Sequence, residues 1–191
     1  MVRVLASILG MLASTAQALL PAPLHMRALQ RLKTQTLQGT NRRAYEATVH
    51  LPPEVVEELQ WWCDCLPHAN GKKLVVAAPD VVIQTDLSKV NRSGWGATCG
   101  LQTAGGRWTR AGRQLHINAL ELKAATFGVQ SFAKDLTRGH IVIQTDNAVT
   151  VAYINKMRGN NSRPLCSLAQ DLWSWCIQRQ LTVGAEYLPV H

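Results

Sequence analysis

Val81-Val82-Ile83-Gln84-Thr85-Asp86 and His140-Ile141-Val142-Ile143-Gln144-Thr145-Asp146 read as two buried strands that end in the same four letters. Short apolar β-branched runs of this kind suit strands covered on at least one face. Side chains alternate along a strand, so Val82, Gln84 and Asp86 share one face, and Val142, Gln144 and Asp146 repeat the arrangement. In open α/β sheets ligands bind outside the carboxyl ends of the strands, which is where both aspartates fall. Neighbouring strands would bring the two carboxylates together, and such like charges are tolerated best with a cation between them. The alternative is that each aspartate caps the turn or helix after its strand, most plausible for Asp146.

Outward from these strands the α/β texture fills in. Gly94 to Cys99 and Arg107 to Thr109 read as short strands split by Gly105-Gly106, making an antiparallel meander with the first. A helix is expected from about Ile117 to Ala133, a strand over His140 to Thr145, and a short helix from Asn147 to Met157. Another helix opens at Pro164 with Ser162 as cap. Its stripe is Leu165, Leu168, Ala169, Leu172, Trp173, Cys176 and Ile177. A last strand is expected over Thr182 to Leu188. The fold class is α/β, with three antiparallel strands followed by parallel ones.

Glu121 carries the chemical reading furthest. Ile117, Leu120, Ala124, Gly128 and Phe132 form the helix face turned to the sheet, and Glu121 falls within it. A carboxylate buried there costs several kcal/mol unless it is paired or binds metal. The bland alternative is a glutamate at the stripe's edge, reaching for water or Lys123. Asp86, Glu121 and Asp146 together offer oxygen ligands, which suit Mg²⁺. Two such ions can clamp the attacking and leaving oxygens of a phosphodiester displacement.

Residues 1–74 have a different character and read as a helical extension to an α/β domain at 75–191. A helix is expected to about Leu19, then a basic stretch from Arg27 to Arg43. A helix from Pro52 to Leu66 follows, opened by prolines and acids. Its Trp61-Trp62 pair is expected to pack against a neighbour. The apolar start with Ala16-Gln17-Ala18 imitates a secretory cleavage site, and a helix ended by Pro21 and Pro23 is the competing reading. The run is short for a membrane span and carries Ser7, Ser14, Thr15 and Gln17, so no membrane partner is expected.

Over 191 residues the formal net charge is +8, which favours a polyanionic partner, nucleic acid before membrane, over an ordinary solvated surface. Five cysteines, an odd number without a Cys-x-x-Cys pair, exclude a disulfide framework and a zinc knuckle and point to an intracellular setting.

Asp86 to Gly96, His116 to Leu122, Gln144 to Asn147 and Ala185 to Pro189 resemble, in order and spacing, the ribonuclease H domain of retroelement reverse transcriptases. The DIRS-like retrotransposon group is the nearest in pattern. Pro23 to Arg27 and Leu59 to Trp62 resemble that group's segment linking polymerase to ribonuclease H. The resemblance implies a ribonuclease H-like fold and a two-metal, Mg²⁺- or Mn²⁺-dependent cleavage of RNA in an RNA–DNA hybrid. The products would be 3′-hydroxyl and 5′-phosphate ends. It makes Asp86, Glu121 and Asp146 the metal ligands, and Asn118 a minor-groove contact. A polymerase domain of the same element is the implied protein partner.

Lys156, Arg158 and Arg163, between two helices, are candidates to grip backbone phosphates, with plain surface charge as the alternative. The family pattern continues to a further helix with a fourth aspartate, which does not follow here before His191. A truncated or degenerate domain is therefore expected, either a hybrid nuclease weakened by the loss or a non-catalytic nucleic-acid-binding remnant.

Overall fold

The computed structural model describes residues 1–16, 18–38, 45–69, 78–87, 93–157 and 162–189. The chain divides into two compact units, Met1–Val75 and Val76–His191.

Among the described residues the first unit holds three α-helices, α1 (Val2–Thr15), α2 (Arg27–Gln38) and α3 (Pro53–Ala69), with a short 3-10 turn at Ala22–Met26 leading into α2. α1 ends before the expected Leu19, which is instead buried in the core beyond the helix. That core joins Leu5, Leu9, Met26, Leu29, Val55 and Trp62. The Trp62 indole N–H donates to the His25 carbonyl at 2.7 Å, and Trp61 stacks on the His25 ring. The basic stretch expected from Arg27 to Arg43 is helical over Arg27–Gln38, its remainder lying outside the described residues, and its leading N–H groups have a partner. The Glu58 carboxylate accepts from the backbone of Arg27, Ala28 and Leu29 at 2.7, 2.8 and 3.0 Å. A negative charge at a helix N-terminus meets both the unpaired donors and the positive end of the dipole. No helix among the described residues is long and apolar enough to cross a membrane.

The second unit is a mixed five-stranded sheet flanked by helices. Its strands are β1 (Val81–Leu87), β2 (Gly94–Cys99), β3 (Gln102–Arg107), β4 (His140–Thr145) and β5 (Thr182–Tyr187). They lie in the order β3-β2-β1-β4-β5. β1, β2 and β3 are antiparallel neighbours, whereas β1–β4 and β4–β5 are parallel. The helices are α4 (Ile117–Phe132), α5 (Ala148–Asn155) and α6 (Arg163–Gln178). This is the ribonuclease H-like α/β architecture expected from the sequence.

α4 packs on β1 and β2 through Gly128. A methyl group added there would lie 3.1 to 3.2 Å from Ile83, Ala97 and Thr85, so the glycine lets helix and sheet approach. Leu87, Trp108, Leu120 and Ala124 close the core at that end. α6 packs against α4 along its stripe, and its Trp173 indole donates to the Ile154 carbonyl of α5 at 3.0 Å. Ser162 caps α6 as expected, accepting from the Leu165 N–H. The alternation of β1 divides its two faces. Ile83, Thr85 and Leu87 are buried beneath α4, while Val82, Gln84 and Asp86 are exposed on the other side.

β3 is where the structure corrects the sequence reading. The strand was expected at Arg107 to Thr109, after a break at Gly105-Gly106; it spans Gln102–Arg107 and contains both glycines. The turn sits earlier, at Gly100-Leu101, where Gly100 has φ +57. The glycines belong to the strand because Trp95 crowds them. A Cβ on Gly105 would lie 2.9 Å from the Trp95 carbonyl oxygen, and one on Gly106 3.0 Å from its indole nitrogen.

Candidate active site

The last register pair between parallel β1 and β4 is Gln84 with Gln144. Asp86 and Asp146 each stand two residues beyond that pair, on strands whose spacing is about 4.8 Å. The two aspartates thus occupy equivalent places at the carboxyl ends of adjacent strands. Both line a cavity of about 550 Å³ on the open side of the sheet, together with Gln84, Thr98, Thr103 and Leu188.

Glu121 enters from α4. Its side chain is 6% exposed, so it is neither an edge residue nor turned to water. Its Oε2 is buried without a hydrogen-bond partner. Burial, then the negative charge of Asp146 and that of Asp86, push its carboxyl up to about 7. Glu121 therefore feels both aspartates, and its protonated form is favoured relative to an ordinary glutamate. They do not close into a ready-made cage: among the described residues no group of three or more His, Cys, Asp or Glu side chains could hold a metal ion as placed. The donor set nevertheless suits a hard divalent cation, since it supplies only oxygen atoms and one of them is buried and unpartnered.

A row of amides lies beneath the aspartates. The Gln84 side chain donates to Gln144 Oε1 at 3.1 Å, and Gln144 Nε2 donates to the Glu186 carboxylate of β5 at 3.3 Å. The sequence reading did not include this ladder. The signal was the repeat itself, which places a glutamine two residues before each aspartate on strands that pair.

Asn118 lies half-buried in the first turn of α4, where the His116 ring nitrogen Nδ1 caps the helix by accepting its N–H at 3.2 Å. Its side chain meets Asn147, the residue after Asp146, rather than standing alone. Lys156 is exposed at the end of α5 and Arg163 is exposed at the start of α6. Arg158 and His191 lie outside the described residues.

No known family profile matches the chain, and no curated protein does. Among solved structures, the N-terminal RNase H domain of Rv2228c from Mycobacterium tuberculosis is similar at 20% identity and a TM-score of 0.45, over 59% of this chain and 84% of that one. LC11-RNase H1 in complex with an RNA/DNA hybrid is similar at 15% identity and a TM-score of 0.46, over 58% and 86%. A foamy viral protease–reverse transcriptase in complex with double-stranded DNA matches 97% of this chain and 34% of its own. There the identity is 14% and the TM-score 0.34. These likenesses are distant, and the fold follows from the chain's own strand order and register.

Proposed function

We propose that this chain is a ribonuclease H-type endonuclease that cleaves the RNA strand of an RNA–DNA hybrid, derived from a retroelement reverse transcriptase of the DIRS-like group. The observation that carries the reading is the placement of Asp86 and Asp146 at the ends of adjacent parallel strands lining one cavity, with a buried, unpartnered Glu121 oxygen on α4 whose carboxyl both aspartates push upward. These three side chains would hold Mg²⁺ or Mn²⁺. When bound, such ions neutralise the phosphodiester and lower the pKa of water. Water adds to phosphorus, the bond from phosphorus to the 3′ oxygen breaks, and the products are a 3′-hydroxyl and a 5′-phosphate. Asp86 and Asp146 face the cavity where the scissile phosphate would lie, while Asn118, Lys156, Arg158 and Arg163 would contact the nucleic acid. The three-helix unit would adjoin a polymerase domain.

The purified chain with Mg²⁺ is expected to nick the RNA strand of a hybrid, with loss of cleavage by at least two orders of magnitude in Asp86→Asn and Asp146→Asn. Cleavage unchanged in both variants removes the assignment. A second reading, a nucleic-acid-binding remnant without turnover, is favoured by the absence among the described residues of a preformed metal cluster. Hybrid binding by the wild-type chain without Mg²⁺-dependent cleavage would select it.

A further inference from the structure

Asn147 follows Asp146 directly and caps α5, its Oδ1 accepting the Thr150 backbone N–H at 2.9 Å. A backbone N–H can only donate, so this bond dictates which end of the Asn147 carboxamide is oxygen. The Nδ2 end therefore points away from the helix, and it lies 3.1 Å from Asn118 Oδ1. Two amide nitrogens facing each other would be two donors without an acceptor, so Asn118 must turn its oxygen toward Asn147. One helix cap thus sets the orientation of two carboxamides in series. The Asn118 Nδ2 group is left directed away from this tie, and among the described residues it has no hydrogen-bond partner.

This donor is placed for the nuclease reading. Asn118 and Glu121 are three residues apart on α4 and so are neighbours on one helix face. Asn147 adjoins Asp146 in sequence, and its own N–H donates to Thr145 Oγ1 at 3.3 Å. The asparagine pair therefore ties the segment bearing Asp146 to the segment bearing Glu121.

We propose that Asn147 is a positioning residue that locks Asn118 as a pure hydrogen-bond donor toward the substrate. The atoms it selects are then the acceptors of a minor groove, purine N3 and pyrimidine O2, and the ribose 2′-oxygen. The inference rests on the nuclease reading for its ligand, an RNA–DNA hybrid, and on the hydrogen-bond chain for the role of Asn147.

Asn147→Ser and Asn147→Thr separate the two functions of the residue, because serine and threonine cap helices without adding charge but neither presents an amide donor to Asn118. Binding of a short fluorescent RNA–DNA hybrid to the full chain, measured in EDTA so that hydrolysis does not intervene, is the readout. Both variants are expected to melt with the wild type and to raise the Kd roughly fivefold to tenfold, the loss of one well-aimed hydrogen bond. In an Asn118→Ala background the same changes should have no further effect. The Asn118 side-chain NH₂ signal in ¹⁵N NMR should shift in Asn147→Ser. Wild-type affinity in both Asn147 variants, or an equal loss with Asn118 already removed, overturns the positioning role alone. A wild-type chain that binds no hybrid in EDTA and cleaves none with Mg²⁺ overturns it together with the nuclease reading; if it cleaves without binding in EDTA, the same comparison is read from KM.

Discussion

His25 lies flat against Trp61, with ring centroids 3.8 Å apart and planes 6° from parallel. Burial lowers its pKa from 6.5 to about 4, because the charged imidazolium would lose its water. The fold holds the neutral ring, so the folded state binds fewer protons than the unfolded chain between those values. The His25 contribution to stability is fully present above pH 6.5 and is lost as pH falls from 6.5 toward 4. Glu121, pushed up to about 7, acts with the opposite sign over the same window, so the His25 contribution is read as a difference. In chemical denaturation of the full chain, the stability of the wild type relative to His25→Phe, which keeps a stacking ring, should decline from pH 6.5 toward 4. An imidazole resonance titrating near 6.5, or an unchanged slope in the variant, would refute the claim. At this scale the sequence exposes residues that break a pattern. Glu121 is visible because it interrupts an apolar stripe, and its burial follows. Asn147 is not visible in the same way, since its type and place announce only a helix cap. Its tie to Asn118, 29 residues earlier, exists only once α5 has been laid beside α4.

At the scale of elements, α5 guards the sheet's outer strand. Asn155, its last residue, donates through Nδ2 to the Ala185 carbonyl and accepts from the Ala185 N–H, both at 2.7 Å. The side chain thus takes the place of a further strand's backbone at the middle of β5, where unpaired groups would otherwise invite pairing with another molecule. Asn155→Ala leaves both backbone groups without that partner and should cost about 2 kcal/mol, read as a lower urea midpoint with a similar slope. It should also promote association at high protein concentration. A variant as stable and as monomeric as the wild type would show that water replaces the side chain without loss. β4 falls where its apolar run places it, whereas β3 does not, and the contrast has a physical cause. Gln102-Thr103-Ala104-Gly105-Gly106-Arg107 is almost wholly exposed and has no apolar alternation to betray a strand. It is a strand because the tight turn at Gly100 delivers its backbone to β2, and main-chain pairing needs no side-chain pattern.

For the whole molecule, the order of strands and helices was readable because each element that faces the core carries its own periodicity, while the crossing that brings β1 beside β4 follows from the order of elements. What no local pattern encodes is how charge is spread over the finished surface. The chain carries +8 formally, yet the proposed metal ligands are three acids, which on the nuclease reading would have to admit a polyanion. On the nuclease reading basic side chains have to supply the attraction, and Lys156 and Arg163, exposed at the end of α5 and the start of α6, are the described candidates. Each cation that neutralises a phosphate releases condensed counterions, so the logarithm of hybrid affinity should fall linearly with the logarithm of salt concentration, with a slope of about −0.9 per contact. Lys156→Ala and Arg163→Ala should each reduce that slope by about 1 and weaken all hybrid sequences alike, because phosphate contacts carry no base information. Titrations of a labelled hybrid from low to near-physiological salt separate the two contributions. A slope untouched by both substitutions would move the phosphate track elsewhere on the basic surface, and an affinity independent of salt would deny that the positive charge serves nucleic acid at all.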